Sequence, residues 1–475
     1  METIPQLPSQ NLFDRFNQWI EESITVKLAS IGFLVVILLI PSVWISDLMQ
    51  ERQSRSDEAV NEVSSKWSGS QTLSGPILVI PYKVQRRIDH GKEGVEIQDF
   101  VEKYYFLPQT LNITGDVNPE VLHRGIFDVV VYSSKLAINA DFTRPDFAAL
   151  QIEADKVLWK DAFMIFSISD LRGISDNPGF LVGNKEKATE PSSNLGVTVK
   201  RSAGAEYDQY AKASADGSPA GYASGIIARL GWESAEDFNG TTSVNLILKG
   251  SQRLDFLPTG KTTTVKLKSP WESPSFEGEF LPANREINET GFTADWKVLH
   301  YNRPFSQQWT RNDGQLSGSE FGVNLLVPVD QYQKSIRTAK YGLLIIILTF
   351  VALFLVEITK KIRIHPFQYI LIGVALIIYY TLLLSFSEQV GYNGAYWIAT
   401  LCTVGLISFY SASFLKNQGL IVLFTSLLVV FYSFIFIIIL QQDFSLLLGS
   451  IGLFLIVGAL MYFSRKVEWY RKSES

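Results

Sequence analysis

The segment Ser169-Asp170-Leu171-Arg172-Gly173-Ile174 is the best candidate for a polar site in this chain. In a β-strand, residues two apart point to the same face, so Asp170 and Arg172 are expected to form a charge-assisted pair. With Gly173 beside it, such a pair can line a ligand groove. It can also be a structural salt bridge that orders a turn, and the residue types favour this second use.

Two tryptophans form a second candidate group. Trp271 and Trp296 lie among proline and glycine turns. Packing in a core is the favoured role for such residues, and a surface recognition platform is the alternative. With Asp170 and Arg172, they complete the candidate ligand site of this region.

The sequence lacks the familiar patterns of catalytic and metal-binding residues. The four histidines, His90, His123, His300 and His365, do not have the spacing of metal ligands, and the one cysteine, Cys402, falls in an apolar run. The chain contains no GxSxG nucleophile motif. The sequence therefore predicts no catalytic, cofactor or metal site, and we expect that the protein is not an enzyme. A hydrolase would require Asp170, His123 and His300 to converge.

The elements that position these residues fall into a polar part and an apolar part. The chain has 475 residues, of which 47% are hydrophobic, and its net charge is −5. Lys and Arg are mixed with Asp and Glu, which argues against a nucleic-acid surface. Runs long enough to cross about 30 Å of hydrocarbon predict one early transmembrane helix and five late ones. The predicted spans are 26–46, 340–358, 367–386, 394–414, 419–440 and 446–463.

The charges of the short loops predict the orientation. Lys360, Lys361 and Arg363 follow the second span, and Lys416 follows the fourth, whereas loops 387–393 and 441–444 contain no Lys or Arg. By the positive-inside rule, both termini are cytoplasmic. The predicted parts are a cytoplasmic tail 1–25, an exported domain 47–338, a five-helix block 339–464 and a cytoplasmic tail 465–475.

The exported domain is predicted to be mostly antiparallel β-structure, with a sandwich as the default. Short apolar runs of strand type, such as Val129–Ile138 and Ser243–Leu248, alternate with turn residues. If the domain has two halves, we expect the boundary near the small, polar stretch 202–222.

Ionisable residues of the apolar block lie at the ends of spans. Glu357 is expected to form an interfacial ion pair beside Lys360 and Lys361, while His365 begins the third span and Glu388 ends it. These three residues are the candidate membrane-end site, and their positions count against a proton path through the bilayer. Gly449, Gly452 and Gly458 predict a close helix–helix contact, for which another copy or a partner protein is a candidate.

Several segments resemble one known family. They are Leu73–Tyr82, Arg124–Phe127, Ser169–Ile174, Ser269–Pro282, Gly291–Trp296, His365–Tyr369 and Leu384–Glu388. In this order and with this layout of one helix followed by five, the chain resembles the CreD family of bacterial inner-membrane proteins from about residue 25 to 472. The resemblance implies a role in cell-envelope maintenance or stress response, often under the control of a two-component system. It supplies no catalytic residues.

The leading hypothesis is therefore an inner-membrane protein for cell-envelope integrity. Its periplasmic domain would sense or bind an unidentified ligand or partner, and its membrane block would anchor and couple that domain. The alternative is a transporter or lipid-handling protein with a periplasmic cap. That alternative requires a cavity lined by Tyr379, Tyr380, Tyr410 and Glu388.

Overall fold

The structure is a computed structural model that describes residues 24–89, 95–200, 223–310, 315–325, 331–360, 362–441 and 444–465. The predicted boundary stretch at 202–222, the first 23 residues and most of the C-terminal tail lie outside the described residues. The chain divides into two compact units. The membrane unit comprises Met1–Ser56 and Val329–Ser475, and the β unit comprises Asp57–Pro328.

The β unit consists mainly of strands in two large sheets. Its strands are β1 Gln71–Asp89, β2 Val95–Phe106, β3 Thr110–Arg124, β4 Phe127–Asp141, β5 Phe163–Ile168, β6 Gly179–Val182, β7 Lys185–Lys187, β8 Thr189–Ser192, β9 Thr198–Lys200, β10 Gly225–Arg229, β11 Thr241–Ser251, β12 Arg253–Phe256, β13 Thr262–Ser269, β14 Pro274–Gly278, β15 Asn284–Asn288, β16 Gly291–Leu299, β17 Gln308–Thr310, β18 Gln315–Ser317 and β19 Phe321–Leu325.

Each of the two large sheets mixes strands from distant parts of the chain. One sheet runs β14-β19-β12-β1-β5-β10-β8, with β2 paired to β1 and β17 paired to β2, and the other runs β15-β16-β13-β3-β4-β11-β6-β7. Most pairs are antiparallel, but β1 pairs with β12, β3 with β13 and β9 with β18 in parallel. Buried and exposed residues alternate along β13, as expected for a sheet with one face on the core.

The core of the β unit lies between the two sheets. Leu78 and Phe166 from the first sheet join Ile113 and Leu267 from the second in one cluster of buried side chains. Trp296 belongs to this core, with 2% of its surface exposed. Its ring centroid lies 5.8 Å from that of Phe321, and its indole N–H donates to the Phe280 carbonyl at 3.1 Å.

The helices form most of the membrane unit, and the last residues of the first helix belong to the β unit. They are α1 Ile24–Trp67, α2 Gln331–Lys340, α3 Gly342–Lys360, α4 Pro366–Leu415, α5 Gln418–Leu440 and α6 Ser445–Ser464. Among the described residues, α1, α3, α4 and α5 are long and apolar enough to cross a membrane, and α6 contains a shorter apolar segment, Leu447–Ala459. Gly391 has non-helical backbone angles and divides α4 into two helical segments at a kink.

Candidate functional site

Asp170 and Arg172 form an ion pair, as the sequence predicts, but they do not lie in a strand. Asp170 caps a 3₁₀ turn, Leu171–Gly173, by accepting a hydrogen bond from the Arg172 backbone N–H at 3.1 Å. The strand geometry considered for the pair is absent, because a capping Asp directs the backbone into a turn, and the pair is instead the favoured alternative, a salt bridge that orders a turn. The turn brings the side chains together, with Arg172 Nε 2.9 Å from Asp170 Oδ1 and Nη2 2.7 Å from Oδ2.

The environment of Asp170 stabilises its charged form. Burial raises the pKa of this carboxyl, but hydrogen bonds from Arg172 and from the backbone N–H of Gly69 outweigh burial. The net result lowers the pKa of Asp170 from 3.8 to about 2. The carboxylate is therefore ionised across the physiological pH range, and its acceptor positions are occupied by neighbours of its own chain.

Arg172 connects this turn to the end of helix α1. Its Nη1 donates to the carbonyl of Ser65 at 2.5 Å, and Ser65 lies in the last turn of the helix. Carbonyls of a last turn lack partners within the helix, and a guanidinium there also meets the negative end of the helix dipole. Arg172 therefore acts as a C-terminal cap supplied by a distant part of the chain.

Gln71 joins the same contact from β1, and its side chain is fully buried. The amide nitrogen donates to Ser68 Oγ at 2.9 Å, to the Asp170 carbonyl at 2.9 Å and to the Lys249 carbonyl at 3.0 Å. The amide oxygen accepts from Ser169 Oγ and from the Asp170 backbone N–H. One side chain therefore connects the segment after α1, the capped turn and β11.

Gly173 allows this close packing. A Cβ atom at position 173 would lie 2.3 Å from the Lys249 carbonyl oxygen and 2.5 Å from Gln71 Nε2. Both distances are shorter than a van der Waals contact, so a side chain cannot be accommodated without displacing the backbone of β11 or the Gln71 amide.

A second arginine holds the same helix end. Arg124, at the end of β3, donates to both carboxylate oxygens of Glu62 at 3.1 and 2.9 Å. Hydrogen bonds from Lys66 and Arg124 lower the pKa of Glu62. We refer to Glu62, Gln71, Arg124, Asp170 and Arg172 together as the helix clasp, because they fasten the last turns of α1 to the strands of the β unit.

The other sequence candidates of the β unit have separate partners. His123 Nδ1 lies 2.7 Å from Asp128 Oδ1, His300 stacks on Tyr301, and Asp170 binds Arg172. The convergence that a hydrolase would require therefore does not occur among these residues. Trp271 is partly buried against the core to which Trp296 belongs. In the described part of the chain, no group of three or more His, Cys, Asp or Glu residues has the geometry of a metal site.

Glu357 in the membrane unit has a different partner from the one expected. It forms an ion pair with Lys27 of α1 rather than with Lys360, and only 4% of its side chain is exposed. Its carboxylate also accepts from the Ile364 backbone N–H at 2.8 Å and from the Tyr369 hydroxyl at 2.9 Å. A buried charge is costly unless it is paired and hydrogen-bonded, and this carboxylate is both.

Glu388 and His365 also make local contacts. Glu388 Oε1 lies 3.7 Å from Arg52 Nε of α1 and 3.3 Å from the Tyr332 hydroxyl of α2. His365 caps α4, because its Nδ1 accepts from the Phe367 backbone N–H at 3.2 Å. Pro366 occupies the first helical position, which suits a residue without a backbone N–H.

Five contributors were missed by reasoning from the sequence. Gln71 lies in a polar stretch at the start of a strand, Glu62 and Arg124 are ordinary charges, and Lys27 and Arg52 flank an apolar helix. The only available signal was that Lys27 and Arg52 lie on either side of the same predicted span. Their acidic partners are several hundred positions away, so local spacing carried no information about the pairing.

These features define a class: a membrane protein whose described residues include four long apolar helices and a large, mostly β domain that holds the end of the first helix. Comparison with known protein sequences identifies the family. The family model described as "Inner membrane protein CreD" matches residues 23–470. Inner membrane protein CreD of Escherichia coli strain K12 is 30% identical over 448 residues, which cover 94% of this chain and 93% of that protein. The chain belongs to the CreD family, and its apolar helices fit a location in the bacterial inner membrane.

Proposed function

We propose that this protein serves cell-envelope integrity without being an enzyme. Its β domain, residues 47–338, lies in the periplasm and binds a ligand or partner, and its membrane helices anchor the domain and couple to it. The helix clasp is the observation that carries this proposal. Two arginines hold the last turns of α1 and a buried glutamine holds the segment directly after them, and such contacts transmit displacement rather than catalysing a reaction.

The proposal includes a topology in which the chain crosses the membrane six times and both termini lie in the cytoplasm. Helix α4 contains 50 residues, which would measure about 75 Å if it were straight, more than twice the hydrocarbon thickness. The break at Gly391 leaves two segments that are each long enough to cross. Lys360, Arg363 and Lys416 favour the cytoplasmic side for the ends that they flank.

The contacts of α1 support the position of its crossing. Lys27 pairs with Glu357, and Arg52 lies near Glu388. The 25 residues between Lys27 and Arg52 span about 37 Å of helix, slightly more than the hydrocarbon thickness. The two ionic contacts therefore have the separation expected of groups in opposite interfaces.

The alternative of a transporter or lipid-handling protein has less support. Its proposed cavity needs Tyr379, Tyr380, Tyr410 and Glu388 as lining residues. Tyr379 and Tyr380 are buried, and their rings pack against one another with centroids 5.0 Å apart. Glu388 is engaged by Arg52 and Tyr332. These contacts favour a role in packing for the three side chains.

The proposal is tested by complementation of a deletion strain. We expect deletion to alter survival under detergent or lysozyme stress, and the wild-type gene to restore it. Arg172→Ala, expressed at the same level, should restore survival poorly because it releases the helix end. Arg55→Ala is the matched control, since Arg55 forms an exposed pair with Glu51 within α1. A deletion strain that behaves like its parent under every stress would contradict the proposed function.

A further inference from the structure

Five tyrosines converge inside the membrane unit. Tyr379, Tyr380, Tyr392 and Tyr396 come from α4 and Tyr432 comes from α5, and none is more than 3% exposed. The Tyr379 ring lies 4.7 Å from Tyr432, 5.0 Å from Tyr380 and 5.8 Å from Tyr396, centroid to centroid. We call this group the tyrosine cluster. It joins the two segments of α4 to α5.

Two hydroxyls of the tyrosine cluster have partners within the protein. The Tyr392 hydroxyl lies 2.6 Å from Thr338 Oγ1 of α2. The Tyr396 hydroxyl donates to the Tyr432 backbone carbonyl at 2.7 Å. These are ordinary hydrogen bonds, and they show that the cluster is arranged for polar contacts as well as for ring packing.

The hydroxyls of Tyr380 and Tyr432 are different. Each is buried, and neither has a hydrogen-bond partner among the residues that the structure describes. The Tyr379 hydroxyl, in the same cluster, is likewise buried without a hydrogen-bond partner among those residues. Beside Tyr380, α3 begins with Gly342, where an added Cβ would lie 3.1 Å from the Tyr380 hydroxyl oxygen. The glycine therefore lets the start of α3 lie close against that hydroxyl without donating to it or accepting from it.

A buried hydroxyl without a partner costs free energy, and the hydrocarbon around a membrane protein offers it no solvent. Native proteins pair nearly all such groups, and where protein atoms do not reach, ordered water does. The ligand that fits must be small and uncharged, and it must both donate and accept hydrogen bonds. A lipid head group is too large to enter a cluster with so little exposed surface.

We propose that the tyrosine cluster is a binding site for ordered water inside the membrane unit. The water bridges the hydroxyls of Tyr380 and Tyr432 and extends the network that Tyr392 and Tyr396 begin. This site is separate from the helix clasp. It explains why these positions carry tyrosine, because phenylalanine would pack equally well but has no hydroxyl to bind water.

The first test is X-ray radiolytic labelling of the full-length wild-type protein in nanodiscs, read by mass spectrometry. Radicals formed from bound water oxidise the side chains that touch it. We expect Tyr380 and Tyr432 to be labelled at least fivefold faster than Phe350 and Phe424, which are equally buried aromatic residues of the same unit. Labelling at the rate of those two phenylalanines would overturn the proposal.

The second test distinguishes a bound hydroxyl from an unpaired one. Tyr380→Phe and Tyr432→Phe should each lower the melting temperature of the full chain by about 2–4 °C if water bridges the hydroxyls. Tyr392→Phe, which loses its direct bond to Thr338, is the reference for such a loss. A melting temperature that stays the same or rises would show that the hydroxyls are unpaired, and would overturn the proposal even if labelling is fast.

Discussion

Asp170 illustrates how one residue can be satisfied entirely by its own chain. Its carboxylate receives the Arg172 guanidinium on one side and the Gly69 N–H on the other. Only 15% of the Asp170 side chain is exposed, whereas 63% of the Arg172 side chain is. The pair is therefore neither a free ligand site nor an ordinary surface salt bridge, because it joins a helix end to a capped turn.

The low pKa of Asp170 makes its contribution dependent on pH. A carboxyl whose pKa falls from 3.8 to about 2 on folding stabilises the folded state above pH 3.8, and this stabilisation is lost as the pH falls toward 2. We expect Asp170→Asn to lower the free energy of unfolding by about 2 kcal/mol at neutral pH. Thermal unfolding of both proteins should show this difference narrowing between pH 4 and pH 2.

Asp116→Asn is the control for that comparison, because Asp116 forms an exposed pair with Lys268 at 3.0 Å. Exposed pairs contribute little, so its melting temperature should stay close to that of the wild type. A difference between wild type and Asp170→Asn that is constant from pH 7 to pH 2 would contradict the argument from the pKa.

Gly173 gives a prediction about packing. Gly173→Ala should destabilise the protein by about 1–3 kcal/mol, because the methyl group overlaps the Lys249 carbonyl and the Gln71 amide. Gly179→Ala is the matched control, since the nearest atom to its added Cβ would be 3.8 Å away. Chemical denaturation of the full chain measures the stability of both variants. Equal denaturation midpoints for the two would show that a methyl group at position 173 does not destabilise the fold.

At the scale of elements, α1 makes polar contacts with several distant parts of the chain. Within the membrane unit it contacts Glu357 through Lys27 and Glu388 through Arg52, and within the β unit its end contacts Arg124 and Arg172. Few of the side chains in its apolar part are buried. Its position therefore depends on a small number of charged residues.

The Lys27–Glu357 pair gives a prediction that uses charge reversal. Lys27→Glu should destabilise the membrane unit by about 3–5 kcal/mol, because it places two carboxylates together in a buried position. Combining it with Glu357→Lys should recover part of that loss by restoring opposite charges. Melting temperatures of the two single variants and the double variant measure the coupling, and additive losses in the double variant would refute the pairing.

At the scale of the whole molecule, the proposed topology predicts which positions face which compartment. In a background with Cys402→Ser, Asn288→Cys should react with a membrane-impermeant maleimide in intact spheroplasts. Lys416→Cys should react only after the membrane is permeabilised. Labelling of Lys416→Cys in intact spheroplasts, or protection of Asn288→Cys, would contradict the proposed orientation.

Reasoning from the sequence predicted the features that depend on local pattern. Long apolar runs predicted apolar helices, and four helices among the described residues are long enough to cross a membrane. Short apolar runs between turn residues predicted a mostly β domain. The pairing of Asp170 with Arg172 was predicted, with a salt bridge that orders a turn as its favoured role. The partner of Glu357 was not predicted. Lys27 is 330 residues away along the chain, and Lys360 was the nearer base, so only the three-dimensional packing could decide between them.

Two of the parallel strand pairs of the β unit have a consequence for folding. Leu73 of β1 is paired with Phe256 of β12, and Leu111 of β3 is paired with Thr263 of β13. At about 5–20 residues per second, the ribosome needs roughly ten seconds or more to make the chain between such partners. During that interval β1 and β3 each have an open edge that can pair with other chains. Newly made protein therefore depends on protection of these edges until its second half has emerged.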